Sequence, residues 1–479
     1  MRSKTTPRPR AHGRRVVPLA LAALATPLAT PVAPAAAQSL ADTLVTAYRN
    51  SPDLAGARSS VVIADELAEQ ARAQRRPDIN GSAELSVRFD EFNDVVYPTS
   101  LALTLNQALY TGGQITNTIS AAETRTEAQI LGLEATEQDV LLNAVTAHQN
   151  VLRDAAFVQL GIKNVRVLSE QLRAARERFE VGEVTRTDVE QARAQVAGAR
   201  ANLAASRGAL ASSRESYRRV VGVLPGDLEP PPPLPEIPAT REAAVGVALV
   251  REPTLRAARL SREAAGFDVR AAIGQLLPQL SLTAQASRTD TFEPNRSDNP
   301  FAQGTIRDRD TGSIGLTLSI PFYQGGANYA EVRENQARVA QSVSDITAQE
   351  RLTIEQVAAA YAQRDVARAS IEAGRLEVEA SRLAFEGVVE EARVGARTTL
   401  DVLDAEADVL DAESDLVEAR RDETVAVYTI LAAIGLLTVE HLGLAVDPAA
   451  PAIAEAISDS PLFGYDPSED TVWTTRWRP

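Results

Sequence analysis

The 479-residue sequence predicts a mixed α/β membrane protein, built mainly from long, coiled-coil-packed α-helices with four strands of membrane-crossing length. Three observations carry this prediction: an internal duplication, one long proline-free stretch in each copy, and a pair of short alternating segments ahead of each stretch. Composition narrows the function by exclusion. With no cysteine, disulfide scaffolds, thiolate metal sites and cysteine catalysis are out. The three histidines, His12, His148 and His441, are too scattered for a metal cluster. A net charge of −15 opposes nucleic-acid binding through phosphate contacts. No cofactor, metal or nucleic-acid partner is expected, and no Ser/His/Asp set or phosphate loop suggests an enzyme.

Residues 1–37 read as a secretory signal peptide. Arg2, Lys4, Arg8, Arg10, Arg14 and Arg15 form a basic head, an apolar Ala/Leu/Val stretch follows, and Ala35-Ala36-Ala37 gives a small-x-small cleavage site. Arg14-Arg15 raises a twin-arginine route, but Val16-Val17-Pro18 fits that signal poorly. Losing these six positive charges takes the mature chain from −15 to −21. Beyond the leader no run of 18 apolar residues exists, so no helical membrane span is expected.

The first structural repeat is placed at 38–224, a Pro-rich linker at 225–240, the second repeat at 241–437 and a tail at 438–479. Ser51-Pro52-Asp53-Leu54 matches Glu252-Pro253-Thr254-Leu255 at an offset of 201, and Tyr110-Thr111-Gly112-Gly113 matches Tyr323-Gln324-Gly325-Gly326 at an offset of 213. Between Val181 and Leu203, ten of 23 positions are identical to their partners at 394–416, more than shared alanine content would give. The extra residues of the second copy fall between Pro278 and Leu316, where the polar stretch Thr291 to Thr311 reads as a longer loop.

Each copy repeats one order of elements. A helical stretch, Leu40–Arg76 or Arg241–Leu277, stops at a proline. Two alternating segments follow: Ala83, Leu85, Val87 and Phe89 alternate with polar residues in the first copy, and Ile314, Leu316, Leu318, Ile320 and Phe322 in the second. Gly112-Gly113 and Gly325-Gly326 then allow a sharp turn from strand into helix. From Gln114 to Val181 and from Ala327 to Val394 there is no proline. Val332, Val339, Val343, Ile346, Ile354, Val357 and Tyr361 keep three-and-four spacing, one helical stripe. Such helices would be about 100 Å long and need a coiled-coil-like partner. The chain reverses at Val181-Gly182 and Val394-Gly395 and returns helically to Gly222 and Gly435, so a long rod is expected beside a stacked pair of shorter helices, twice per chain.

Strands of about ten residues cross a bilayer when tilted. An open sheet in lipid leaves backbone groups unpaired, and membrane barrels start at about eight strands, so four strands per chain imply oligomerisation. Tyr110 and Tyr323, at matching strand ends, suit an aromatic girdle.

The duplication, the strand–Gly-Gly–long-helix unit and the turn sequences Arg178-Phe179-Glu180-Val181-Gly182…Thr187-Asp188-Val189 and Val394-Gly395-Ala396-Arg397-Thr398…Asp401-Val402-Leu403-Asp404-Ala405 resemble the TolC outer-membrane efflux family from about Leu40 to Leu444. The tail, with Tyr465-Asp466-Pro467 and Trp477, looks most like the type I secretion subgroup. The resemblance implies a homotrimer whose strands form one shared 12-strand barrel in outer-membrane lipid, above an α-barrel in the periplasm. It implies an exit duct of a tripartite efflux or type I secretion system. The partners would be a periplasmic adaptor (membrane fusion protein) and an inner-membrane transporter of ABC or RND type.

The resemblance also assigns residues. Asp401 and Asp404, three apart on one helical face, would become carboxylate rings at a periplasmic constriction that favours cations. Asp188 aligns with Asp401, but Gln191 aligns with Asp404, so the acidic pair belongs to one copy. An Asp in a first helical turn also offsets the macrodipole without any pore role. Arg397 would pair with Asp188 and Thr187 to hold the tip closed. Where well-known members carry a tyrosine in this lock, the chain has Ala392, so a weaker lock is expected. Val181, Gly182, Thr185, Val394, Gly395 and Thr398 would meet the adaptor, although glycine at a reversal is already explained by geometry. His148 is read as packed or solvated, and Asp404, Asp408, Asp411, Glu413 and Asp415 as an acidic run on a solvated tunnel or outer face. A periplasmic adaptor and a structural coiled-coil envelope protein are the rival readings; neither needs two duplicated strand pairs of lipid-crossing length.

Overall fold

The computed structural model describes residues 38–89, 95–293 and 305–446. The expected signal peptide and most of the tail, with Trp473 and Trp477, lie outside the described residues. The two long helices run as expected: α3 spans Gln114–Glu180 and α7 spans Ala327–Arg393, 67 residues each. The returning helices are α4 (Arg186–Val221) and α8 (Thr399–Ala433).

The first helix of each copy is broken, where a single stretch was expected. α1 (Leu40–Asn50) ends before Pro52, and α2 (Pro52–Ala73) begins on it; α5 (Arg241–Arg251) and α6 (Pro253–Gly274) divide at Pro253. Proline lacks an N–H and disfavours α geometry in the residue before it, so Ser51 and Glu252 are extended, with ψ of 120° and 121°. Both then cap the next helix: the Ser51 hydroxyl accepts from Leu54 N–H, and the Glu252 carboxylate accepts from Thr254 and Leu255 N–H.

The strands are longer than expected. β1 (Asp78–Leu85) and the two-residue β2 (Arg88–Phe89) both pair antiparallel with β3 (Val95–Tyr110), like one strand interrupted at Ser86-Val87. β4 (Gln279–Glu293) and β5 (Thr305–Ser319) complete an antiparallel sheet in the order β1-β3-β4-β5. The stretch 291–311 expected as a loop is therefore strand at both ends. Ladder hydrogen bonds use the backbone and do not require apolar side chains, so alternation reports only part of a strand. β5 stops at Ser319, short of the alternation that runs on to Phe322, because Pro321 offers no ladder donor.

Gly112, Gly113, Gly325 and Gly326 all have positive φ, from 63° to 87°, turning each strand into its long helix. The two turns differ in packing. A side chain on Gly112 would sit 2.5 Å from the Gly274 carbonyl oxygen, whereas one on Gly325 would meet nothing within 4 Å.

α2 and α4 flank α3 on one side; α6 and α8 lie between α3 and α7. The main core gathers where the shorter helices meet the long ones, around Leu40, Tyr48, Leu141, Tyr217, Ile430 and Ile434. His148 is fully buried there, packed as one of its two expected placements had it. Its Nδ1 lies 2.9 Å from Thr43 Oγ1, which is 3.0 Å from the Tyr217 hydroxyl, and burial pushes its pKa below the ordinary imidazole value. The α7 stripe is only half used: Val357 and Tyr361 are buried, but Val343 is 48% and Ile354 41% exposed. A long helix in this arrangement has two flanks, and one chain covers a single flank of α7.

Candidate functional site

Two regions carry the functional geometry: the helical turns at one end and the sheet at the other. At the first turn, Gly182 N–H donates to the Phe179 carbonyl and Glu183 N–H to the Arg178 carbonyl. Gly395 to Ala392 and Ala396 to Glu391 repeat that pattern. This closure needs a left-handed residue, and both glycines have φ of 80°. Each returning helix then opens on a reciprocal cap. Asp188 Oδ2 accepts from Thr185 N–H and Oγ1, both at 2.8 Å, and Asp401 Oδ2 accepts from Thr398 N–H and Oγ1, both at 2.9 Å.

The Thr398 backbone N–H, then its hydroxyl, hold the Asp401 carboxyl below the usual range. Asp401 is thus a helix cap in each chain, and Asp404, one turn on, is exposed. Val181 and Val394 project at 71% and 81% exposure, beside exposed Thr185, Gly182, Gly395 and Thr398.

Inside a single chain Arg397 does not pair with Asp188 or Thr187. Its Nε donates to Glu391 Oε2 at 2.8 Å, across the turn it occupies, while Thr187 is exposed and Asp188 is engaged by Thr185. A carboxylate six residues back on the same turn is simply the nearer partner.

Inside the bundle, two acidic residues of α8 are drawn away from solvent, and one of them, Glu413, departs from the expected solvated face. Glu413, 14% exposed at its side chain, receives Arg382 of α7 and Lys163 of α3, the latter at 3.9 Å. Glu406, two turns earlier, is half-buried; desolvation, then the nearby Glu413 charge, pushes its pKa up to about 7. Sequence reasoning passed over Glu406. The available signal was its spacing, three from Leu403 and four from Leu410, which puts a carboxylate on an apolar stripe.

The sheet sorts its side chains by face. Register aligns Ile79, Leu105, Ala284 and Ile314 in one row, and Gly81, Leu103, Ala286 and Gly312 in another. The alternate rows, Asn80–Thr104–Gln285–Ser313 and Ser82–Ala102–Ser287–Thr311, are polar or small. The apolar face is bare: Leu103 is 55%, Leu316 65% and Ile314 81% exposed. From Leu280 to the first charged row, Arg288 with Asp310, this band runs about 26 Å along the strand. An apolar outer face over a polar inner one is the pattern of a membrane barrel wall. Among the described residues no helix is long and apolar enough to cross a membrane.

The profile of the outer membrane efflux protein family matches residues 43–223 and 244–436, one stretch in each repeat. The chain belongs to this family. It is 36% identical to the outer membrane efflux protein BepC of Brucella suis, over 85% of this chain and 88% of BepC. It is 26% identical to the outer membrane protein TolC of Escherichia coli, over 84% of each. The alkaline protease secretion protein AprF of Pseudomonas aeruginosa is 26% identical over 56% of each chain. The crystal structure of VceC from Vibrio cholerae superposes with a TM-score of 0.71 at 21% identity, covering 83% of this chain and 96% of VceC, and shows the same fold. The expected family is thus the actual one, and the adaptor and coiled-coil alternatives fall away. As a member of the outer membrane efflux family, the protein is an outer-membrane exit duct whose helical part extends into the periplasm, and its family members are channels.

Proposed function

We propose that three copies of the chain close one barrel of about twelve strands and one helical tunnel, and that this trimer is the outlet of a tripartite machine. The observation that carries the proposal is the lipid-facing sheet whose outer edges, on β1 and β5, are unpaired in a single chain. Unpaired edges cannot remain in hydrocarbon, so identical neighbours must supply the missing ladders.

Cargo enters from an inner-membrane transporter of ABC or RND type through a periplasmic adaptor. The tips formed by Val181, Gly182, Thr185, Val394, Gly395 and Thr398 are its docking points, supported by their projection beyond the last packed turn. Likeness to AprF supports a type I secretion role for this duct, and likeness to BepC supports efflux. Residues 1–37 direct export. The chain does no chemistry of its own.

Asp401 and Asp404 form the acidic constriction. Since Arg397 is held by Glu391 within its own chain, any lock to Asp188 and Thr187 is one made between chains.

Reconstitution tests the proposal. The purified protein is expected to run as a heat-modifiable trimer from outer membranes and to carry current across a planar bilayer. A stable monomer without current would overturn it.

A further inference from the structure

The duplication leaves one helix short of neighbours. α3 is flanked by α2 and α4 on one side and by α6 and α8 on the other, whereas α7 has α6 and α8 but no comparable seam with α2 or α4. Its bare flank carries Leu376 and Leu383, 65% and 71% exposed. Between them and beyond them stand Glu372, Glu379 and Glu386, seven residues apart and all exposed. On α4, Arg193, Arg200 and Arg207 keep the same spacing and are also exposed. Of these six, Arg193 alone has an ion-pair partner among the described residues, Glu190 on its own helix at 3.6 Å.

The seam that does exist within the chain supplies the register. Lys163 of α3 meets Glu413 of α8. The repeat offset of 213 carries this pair to Leu376 on α7 and Arg200 on α4. In an antiparallel seam of that register, Arg200 falls between Glu372 and Glu379, and Arg193 between Glu379 and Glu386. Arg207 falls between Asp365 and Glu372. At two of the three positions on each helix the signs are inverted between the two seams; Arg207 and Glu372 correspond to Arg420 and Gln159. Where α8 has Glu406 and Glu413, α4 has Arg193 and Arg200; where α3 has Arg166 and Arg173, α7 has Glu379 and Glu386.

We infer that the bare flank of α7 receives α4 of a second copy of this chain, and that the inverted charges make the two kinds of seam non-interchangeable. α8 presented to α7 of another copy would set carboxylates against carboxylates, and α4 presented to α3 of another copy would set arginines against arginines. Like charges facing each other along a seam exclude the wrong partner. The code therefore fixes first and second repeats in strict alternation around the ring. This inference rests on the trimeric reading above and adds which faces meet and what selects them.

Charge reversal tests it in the full-length protein in detergent, with native mass spectrometry reading trimer and circular dichroism reading helix content. Arg193→Glu, Arg200→Glu and Arg207→Glu combined should lower the trimer fraction by more than about tenfold at fixed concentration. Glu372→Arg, Glu379→Arg and Glu386→Arg combined should do the same. The chain carrying all six reversals should regain trimer, because the seam is restored with opposite polarity; that rescue separates a lost seam from a lost fold. Trimers undisturbed by either triple reversal, or no rescue in the sixfold variant, would overturn the charge code while leaving the duct intact. A monomeric parent protein would instead remove the trimeric reading itself.

Discussion

Glu406 illustrates how a single side chain is set by its surroundings. With its pKa up at about 7 against an ordinary 4.5, the folded state holds a proton that the unfolded state has released across that interval. Stability therefore falls as pH rises from about 4.5 to 7 and is level above, because the folded chain binds more protons than the unfolded one. Glu406→Gln is expected to match the parent below pH 4.5 and to exceed it above pH 7, by on the order of 1 kcal/mol once half-exposure is allowed for. Thermal denaturation of the purified trimer across pH 4 to 8 measures this, and a pH-independent difference would refute it. Residues in the turns were easier to read from sequence. Gly182 and Gly395 announce their conformation through chemistry local to them. Arg397 was not, because several carboxylates lie within reach of a long side chain and only the folded turn decides that Glu391 is nearest.

At the scale of elements, the sheet has an inside and an outside that a single strand does not reveal. Ile314 lies in the apolar row with Ile79, Leu105 and Ala284, and its neighbour Ser313 in the polar row with Asn80, Thr104 and Gln285. Ile314→Arg places a charge in lipid and is expected to cost about 2–4 kcal/mol of insertion, seen as loss of heat-modifiable oligomer from outer-membrane fractions. Ser313→Arg faces the lumen and should leave assembly intact while altering conductance. Equal damage from both would mean that the faces are misassigned. The helices divide in the same way: their lengths followed from the absence of proline and their ends from glycine, but the breaks at Pro52 and Pro253 were hidden. Each proline sits at a helix start, where it is tolerated, in a stretch that is otherwise continuously helical in pattern.

The whole molecule concerns what three chains do together. If Asp401 and Asp404 ring the periplasmic mouth, Asp401→Asn with Asp404→Asn should reduce the preference for cations over anions, measured as a shift in reversal potential across a salt gradient. Unchanged selectivity would place the constriction elsewhere. Arg397→Ser should raise resting conductance if the arginine bridges chains, and leave it unchanged if its bond to Glu391 is its whole role.

By itself the sequence determined the duplication, the lengths of the long and returning helices, the turn glycines and the need for a lipid-facing sheet. Periodicity, proline and glycine act through a few neighbouring residues, so these features are written locally. Only the tertiary structure decided how far the strands extend, which carboxylate holds Arg397, that Glu413 is enclosed by Lys163 and Arg382, and which flank of α7 is left bare. Those outcomes depend on distances between residues far apart in the chain, and no local pattern encodes them until packing brings the partners together.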